Sequence, residues 1–292
     1  MKILVLGCKG QLGRCLNDQL LNSDYEIEFT SREQIDISDF AATKKQILKI
    51  EPDVVINASA YTAVDKAEED QQTAELINHL AVKNIAITCN LIDCWLIHVS
   101  TDYVYDGASN VPYREDDSTN PQTIYGETKL KGEWAIQSSN CKHIIIRTAW
   151  VYSEYGNNFL KTILRLGSER PNLRIVCDQI GCPTYAQDLA RAIISMIPTL
   201  NSQEELSGVY NYCGDTECSW FEFAEEIYKH SVNFDELTIP ALESVTTDEY
   251  LTLAKRPKFS VLDSSHFHET FGILPSNLKY GIRSSLKKLK TY

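Results

Sequence analysis

Residues 3–13 read Ile3-Leu4-Val5-Leu6-Gly7-Cys8-Lys9-Gly10-Gln11-Leu12-Gly13, and this stretch decides the fold. Four consecutive apolar residues predict a buried strand, and Leu12, Leu16 and Leu20 follow at helical spacing. Three glycines therefore occupy the turn between a first strand and a first helix. A Gly-x-x-Gly-x-x-Gly turn alone is a weak signal, because turns collect glycine. Its position here supplies a mechanism. Glycine lets backbone amides approach a diphosphate closely, and the helix amino end adds about half a positive charge facing it. Gly7, Gly10 and Gly13 are thus the first candidates for holding a dinucleotide.

Outward from that turn, strands and helices alternate. Tyr25, Ile27 and Phe29 alternate with Glu26 and Glu28, which predicts a strand with one solvated face. Val54–Ile56, Leu96–Val99 and Ile144–Ile146 are further buried runs, with helical patterns around Ile47 and Leu48 and around Leu76, Leu80 and Ile85. This rhythm predicts an α/β fold, a Rossmann-type doubly wound and mainly parallel sheet. After Trp150 the rhythm loosens. Helices are predicted near Phe159–Leu166 and Asp188–Ile197, and a third from Ser219, where Ser219 and Glu222 fit a capping box. Pro183, Pro198, Pro240, Pro257 and Pro275 and short strands such as Val209–Tyr212 lie among them. The division expected is a dinucleotide-binding domain over 1–150 and, over 151–292, mainly a smaller substrate lobe with some segments returning to the first domain. That lobe would lie over the carboxyl ends of the sheet, where open α/β folds bind ligands. A length of 292 residues, at about 150 per domain, fits two units.

Composition narrows the partners. Twenty-eight Lys and Arg against forty Asp and Glu leave a formal charge of −12, which argues against a nucleic-acid binder because such affinity rests on basic side chains neutralising phosphates. A small anionic ligand needs only a few local donors. No run approaches the ~18 apolar residues of a membrane span, so a soluble, cytoplasmic chain without a membrane partner is expected. Nine cysteines, an odd count without Cys-x-x-Cys spacing, read as reduced thiols serving as small hydrophobes. The basic end, with Lys279, Arg283, Lys287, Lys288 and Lys290, reads as the solvated face of a last helix.

Two further stretches carry chemistry. Tyr125-Gly126-Glu127-Thr128-Lys129 places a phenol and an amine four residues apart, on one face if the segment is helical. A phenol titrates near pH 10 and is a poor proton donor at neutral pH until a nearby cation stabilises its phenolate, a role open to Lys129. Ser100-Thr101-Asp102 ends a buried strand, where a hydroxyl can bond a carbonyl oxygen as it gains charge. An acidic residue ending the second strand would grip the ribose diol of NAD, but Thr30-Ser31-Arg32 stands there. Two hydroxyls and the Arg32 guanidinium suit a 2′-phosphate, so NADPH is expected over NADH, which is still usable.

Together the glycine loop, the Ser-Thr-Asp stretch and the Tyr–Lys pair resemble the extended short-chain dehydrogenase/reductase superfamily. Asn57–Glu68, Ser100–Gly107, Arg147–Trp150, Gly156–Phe159, Asp178–Thr184 and Lys255-Arg256-Pro257 resemble, more closely, the dTDP-4-dehydrorhamnose reductase family over nearly the whole chain. The resemblance implies hydride delivery from NADPH or NADH to the C4 keto group of dTDP-4-dehydro-L-rhamnose. It implies that Tyr125 protonates the nascent alkoxide, Lys129 lowers the Tyr125 pKa and holds the ribose, and Thr101 polarises the C4 oxygen. Gly10, Gln11 and Leu12 would hold the pyrophosphate, and Asp36 and Ile37 would contact the adenine. Ala60, Tyr61, Thr62 and Val99 would line the inner half of the cofactor. Asp102 and Trp150 would face the sugar nucleotide.

The chain departs from some members of the family. Thr30 replaces an acidic residue, and Cys15 and Gln187 stand where some members bridge a metal through glutamates, so no bridging metal is expected and a homodimer is left open. A nucleotide-sugar 4,6-dehydratase or 4-epimerase shares the scaffold, but a dehydratase needs an acidic pair after the threonine and here Tyr103 follows Asp102. A non-catalytic regulatory subunit like that of methionine adenosyltransferase is the remaining alternative, and such a subunit retains similar residues.

Overall fold

The computed structural model describes residues 1–290 except 22, 201–203 and 232–238. Its elements run β1 (Lys2–Leu6), α1 (Gln11–Leu20), β2 (Glu26–Thr30), α2 (Phe40–Ile50), β3 (Val54–Asn57), α3 (Val64–Glu69), α4 (Gln71–Glu75) and α5 (Ala81–Leu91). They continue as β4 (Trp95–Thr101), α6 (Ile124–Gln137), β5 (His143–Thr148), β6 (Val151–Tyr152), α7 (Phe159–Glu169), β7 (Asn172–Val176), β8 (Ile180–Gly181), β9 (Thr184–Tyr185) and α8 (Ala186–Leu200). The chain closes with β10 (Gly208–Asn211), β11 (Cys218–Ser219), α9 (Trp220–Ser231), β12 (Ala241–Val245), α10 (Ser265–Phe271) and α11 (Leu278–Lys290).

Six parallel strands form the central sheet in the order β10-β5-β4-β3-β1-β2. The order reverses between β1 and β3, so the crevice beyond their carboxyl ends is where such a sheet receives a dinucleotide. Apolar runs make the inner strands: β1, β3 and β5 are buried on both faces, whereas Glu26 and Glu28 keep one face of the edge strand β2 in water. Two apolar layers flank the sheet. One joins Ile3, Val5, Leu16 and Ile193, and the other Leu4, Val55, Ile85 and Ile145.

Three expectations are refined. The strand expected over Val209–Tyr212 and assigned to the lobe forms as β10 (Gly208–Asn211), which pairs with Ile144–Arg147 and extends the main sheet, since an apolar alternation cannot tell which sheet will accept it. The helix expected over 188–197 runs over 186–200 with Pro198 inside it, where the missing N–H affects only the last turn. The helix through Leu76 and Leu80 contains a π-turn over Leu76–Leu80, which leaves Leu80 39% exposed and turns Asn78 inward. Asn78 then holds the backbone of Tyr61 through both amide atoms and reaches Thr128 on α6. The capping box forms as expected: Glu222 N–H donates to Ser219 Oγ at 3.1 Å, and Ser219 N–H donates to Glu222 Oε2 at 2.7 Å.

Beyond Tyr152, α7, β7, α9, β12 and α11 enclose their own apolar cluster of Leu160, Ile163, Ile175, Phe223 and Ile282. Of the basic end, Lys288 is not merely solvated. Its ammonium reaches Glu154 at 2.6 Å and Asp18 at 3.7 Å, beside Cys15 and Gln187, and so ties α11 to α1. All nine cysteines are unpaired. Among the described residues no helix is long and apolar enough to cross a membrane.

Candidate active site

The glycine turn is built as its residues require. Gly7 has φ +83°, a left-handed conformation open to glycine, and its amide and that of Cys8 both donate to the Thr30 carbonyl. A Cβ on Gly13 would collide with the Gly7 carbonyl oxygen, so Gly13 lets α1 approach β1 and does not itself line the cleft. Gly10 caps α1 with extended backbone and no side-chain cap, and no acidic residue stands in the first turn. Amides without a side-chain acceptor, at a helix amino end, fit a diphosphate. Gly13→Ala is expected to push α1 off β1 and cost about 1–3 kcal/mol, with weaker NADPH binding, as thermal melts and cofactor titration would read.

Two adjoining clefts share Gly10, Ala58, Ser59 and Ala60. The outer one, about 580 Å³, is lined by Gly7, Lys9, Arg32, Asp36, Ile37 and Tyr61, among others. The inner one, about 660 Å³, brings Gln11, Leu12, Thr62, Val99, Thr101, Asp102, Tyr125, Lys129 and Trp150 together. An elongated dinucleotide suits this pair of clefts. At the outer end, the Thr30 and Ser31 side chains are turned away from a 2′-phosphate. Thr30 is buried and its hydroxyl donates to the Val5 carbonyl at 3.1 Å, because that position on β2 faces the sheet. Ser31 is buried as well. The cations lining this cleft are Arg32, 3.2 Å from Asp36, Lys9, 2.9 Å from Glu33, and Lys66.

At the inner end, β4 and α6 place the reacting groups. Thr123 caps α6, accepting from Gly126 N–H at 3.0 Å, so Tyr125 and Lys129 fall in the first two turns on one buried face. The Tyr125 hydroxyl faces Thr101, which works against the effect of burial on the phenol. Thr101 Oγ1 donates to Asp102 Oδ1 at 2.9 Å and accepts from Tyr103 N–H at 3.2 Å. Asp102 Oδ2 is buried without a close hydrogen-bond partner, and the buried Ser260 stands beside the carboxyl. The free chain differs from expectation at the phenol. Burial, with Asp102 and Tyr103 adding to it, pushes Tyr125 above its ordinary value, while Lys129 Nζ turns instead to the Val99 carbonyl at 2.6 Å and to His98 at 3.0 Å. Burial also brings Lys129 down to about 8.

Burial pushes the Asp102 carboxyl up to about 6, so folding favours its protonated form. Because the folded value lies above the unfolded one, the resulting stabilisation is present below about pH 4 and is lost as pH rises through 6. Asp102→Asn stays neutral throughout. Its Tm is expected to exceed the wild-type value at pH 8 and to match it near pH 4, measured by melts at both.

The lobe completes the cleft. Trp150 adopts φ +48°, strained for an aromatic residue, and stacks on Trp220 with centroids 3.5 Å apart and planes 6° from parallel. Gln11 Oε1 accepts from Asn158 at 2.8 Å and from Ser153 at 3.1 Å, joining the glycine turn to the lobe. Arg256 bonds Asp65 at 2.6 Å and the Tyr103 hydroxyl at 3.1 Å. It stands with Trp220 between the inner cleft and a second cavity of about 660 Å³ holding Phe159, Arg170 and Arg174. Trp220 and Arg256 escape sequence reasoning: Trp220 is read as the start of a capped helix, and Arg256 only as part of a motif.

A parallel sheet with a glycine turn at its switch point, facing a buried tyrosine, threonine and lysine, defines the class: an NAD(P)-dependent oxidoreductase of the short-chain type. Known proteins narrow it. The family model described as "RmlD substrate binding domain" matches residues 1–291. A dTDP-4-dehydrorhamnose reductase from Aggregatibacter actinomycetemcomitans is 38% identical over 100% of this chain and 99% of its own length. The spore coat polysaccharide biosynthesis protein SpsK of Bacillus subtilis is 38% identical over 98% of this chain and 97% of its own. The crystal structure of a dTDP-4-dehydrorhamnose reductase from Clostridium acetobutylicum superposes with a TM-score of 0.93 at 38% identity, covering 99% of this chain and 100% of that one. The chain belongs to the dTDP-4-dehydrorhamnose reductase family.

Proposed function

We propose that the chain reduces the C4 keto group of dTDP-4-dehydro-L-rhamnose to give dTDP-L-rhamnose, with NADPH preferred over NADH, within nucleotide-sugar and cell-surface polysaccharide biosynthesis. The observation that carries the reading is the meeting of Tyr125 and Thr101 at the carboxyl end of β4, in a cleft continuous with the glycine turn. A related reductase from Bacillus anthracis, 33% identical with a TM-score of 0.89 over 98% of this chain and 99% of its own, was crystallised in complex with NADP.

When bound, the reduced nicotinamide supplies the hydride. Gly10, Gln11 and Leu12 would hold the diphosphate, Gly7 would shape the turn, and Arg32, Asp36 and Ile37 would receive the adenosine end. Ala60, Tyr61, Thr62 and Val99 would line the cofactor's inner half. Thr101 would turn its hydroxyl from Asp102 to the C4 oxygen, and Tyr125 would give that oxygen its proton as the C–H bond forms. Lys129 would hold the nicotinamide ribose and replenish the Tyr125 proton. Asp102 and Trp150 would face the sugar, with Trp220 and Arg256 added here for the nucleotide diphosphate.

In this reading residues 1–150 hold the dinucleotide and 151–292 mainly form the substrate lobe, with α8 and β10 returning to the first unit. The enzyme would work in the cytoplasm on a diffusible nucleotide sugar, with no nucleic-acid or membrane partner. Loss of reduced cofactor on mixing NADPH with dTDP-4-dehydro-L-rhamnose made in situ tests the proposal, and no consumption by folded protein overturns it. Trp220→Ala is expected to raise KM for the sugar nucleotide about tenfold, a loss of about 1–1.5 kcal/mol of stacking, and to leave NADPH binding unchanged.

A further inference from the structure

Asn57 and His98 have no part in the chemistry above, and the hydrogen bonds of the buried row Asn57–His98–Lys129 permit few arrangements. Ser59 N–H can only donate, and it donates to Asn57 Oδ1 at 3.0 Å. That fixes the amide, so Asn57 Nδ2 is the atom facing His98 Nδ1 at 3.1 Å and it donates there. A neutral imidazole that accepts at Nδ1 carries its proton on Nε2. His98 Nε2 in turn lies 3.0 Å from Lys129 Nζ. All three side chains are buried, with exposures of 1%, 0% and 1%.

We propose that His98 is a positioning residue for Lys129: locked by Asn57 as the Nε2–H tautomer, it donates to Nζ and favours the neutral amine in the cofactor-free chain. A neutral amine has one lone pair and two N–H bonds. The lone pair receives His98 Nε2–H, one N–H serves the Val99 carbonyl at 2.6 Å, and the other remains for the cleft. An ammonium would need a lone pair on Nε2, hence a proton on Nδ1. That proton would meet the Asn57 NH₂ group unless the amide flipped and abandoned Ser59 N–H. The charge of Lys129 is therefore coupled to the backbone at Ser59, which lines both clefts.

The titratable and charged groups around Lys129 are His98 from β4, Glu133 from its own helix, and Tyr125 one turn away. Glu133 favours the ammonium, but its charge is engaged by Arg147 from β5, 2.7 Å away. The inference rests on the proposed function only for its consequence, that an anionic cofactor would draw a proton onto Lys129. The hydrogen-bond state itself is a property of the free chain.

Two-bond ¹H–¹⁵N spectra of the imidazoles in the cofactor-free protein read the tautomer without any turnover. His98 is expected as neutral Nε2–H at pH 8.5, its resonance identified by loss in His98→Gln. A proton on Nδ1, or an imidazolium, overturns the proposal. Asn57→Asp is the second arm: its carboxylate still accepts from Ser59 N–H but also accepts Nδ1–H, so the tautomer should invert. The Lys129 ¹³Cε titration midpoint should then rise by about one pH unit or more, a tenfold change in acid dissociation. An inverted tautomer with an unmoved midpoint, or a raised midpoint without inversion, contradicts the proposal. Should Asn57→Asp not fold, the wild-type tautomer decides alone. Inactivity toward the sugar nucleotide would leave these spectra unchanged, so the two readings fail separately.

Discussion

Tyr125→Phe is expected to lower turnover by about 10²–10⁴-fold, the usual contribution of a positioned general acid, while NADPH binding stays within a few-fold. The separation follows from where the hydroxyl sits. It faces Thr101, at the end of β4 where a carbonyl would be received, whereas the ring packs edge-on against Tyr103 with centroids 5.6 Å apart. Phenylalanine keeps that packing and removes only the proton. Reduction leaves charge on the C4 oxygen, and Thr101 alone would stabilise it. Single-turnover rates and cofactor titration on the same preparation check both halves, and wild-type turnover would remove Tyr125 from its role.

Arg147→Met is expected to destabilise the fold by about 3–5 kcal/mol, because breaking a buried pair strands the other charge. Glu133 is 1% exposed and meets Arg147 through both carboxylate oxygens, with Ser100 as a second partner. Arg147 also donates to the Tyr105 hydroxyl at 2.6 Å and to the Glu115 carbonyl at 3.2 Å. The pair thus clamps β4, α6 and β5 directly behind the reacting groups. Across a chain of 292 residues the loss corresponds to about 5–8 °C in Tm. Glu133→Leu with Arg147→Met should recover much of it, since no unpaired charge remains. Calorimetry on the three proteins decides.

The glycine turn, the alternation of strands and helices, and the Tyr–Lys face were legible because each depends on spacing within a few residues. What escaped depends on partners distant in sequence. Whether Val209 extends the main sheet is decided by β5, more than sixty residues earlier. The Thr30 hydroxyl reads in the sequence as a phosphate ligand, but the register of β2 against β1 turns it inward. Trp220 acquires a role only when Trp150, seventy residues before it, takes a left-handed backbone and stacks on it. Lys288 looked like one of several solvated cations until α11 brought it to the buried Glu154. The phenol shows the same limit. Proximity of Lys129 in sequence implies that it acts on Tyr125, whereas its Nζ is claimed by β4.

Hydride transfer to a single carbon is what the cleft is built to direct. NADPH deuterated at C4 of the transferring face of its dihydronicotinamide ring, mixed with dTDP-4-dehydro-L-rhamnose and this protein, follows that atom. The expected result is one deuterium per dTDP-L-rhamnose, at C4 of the sugar, formed in step with oxidised cofactor. Deuterium retained on the cofactor, or found at another carbon of the sugar, would contradict it.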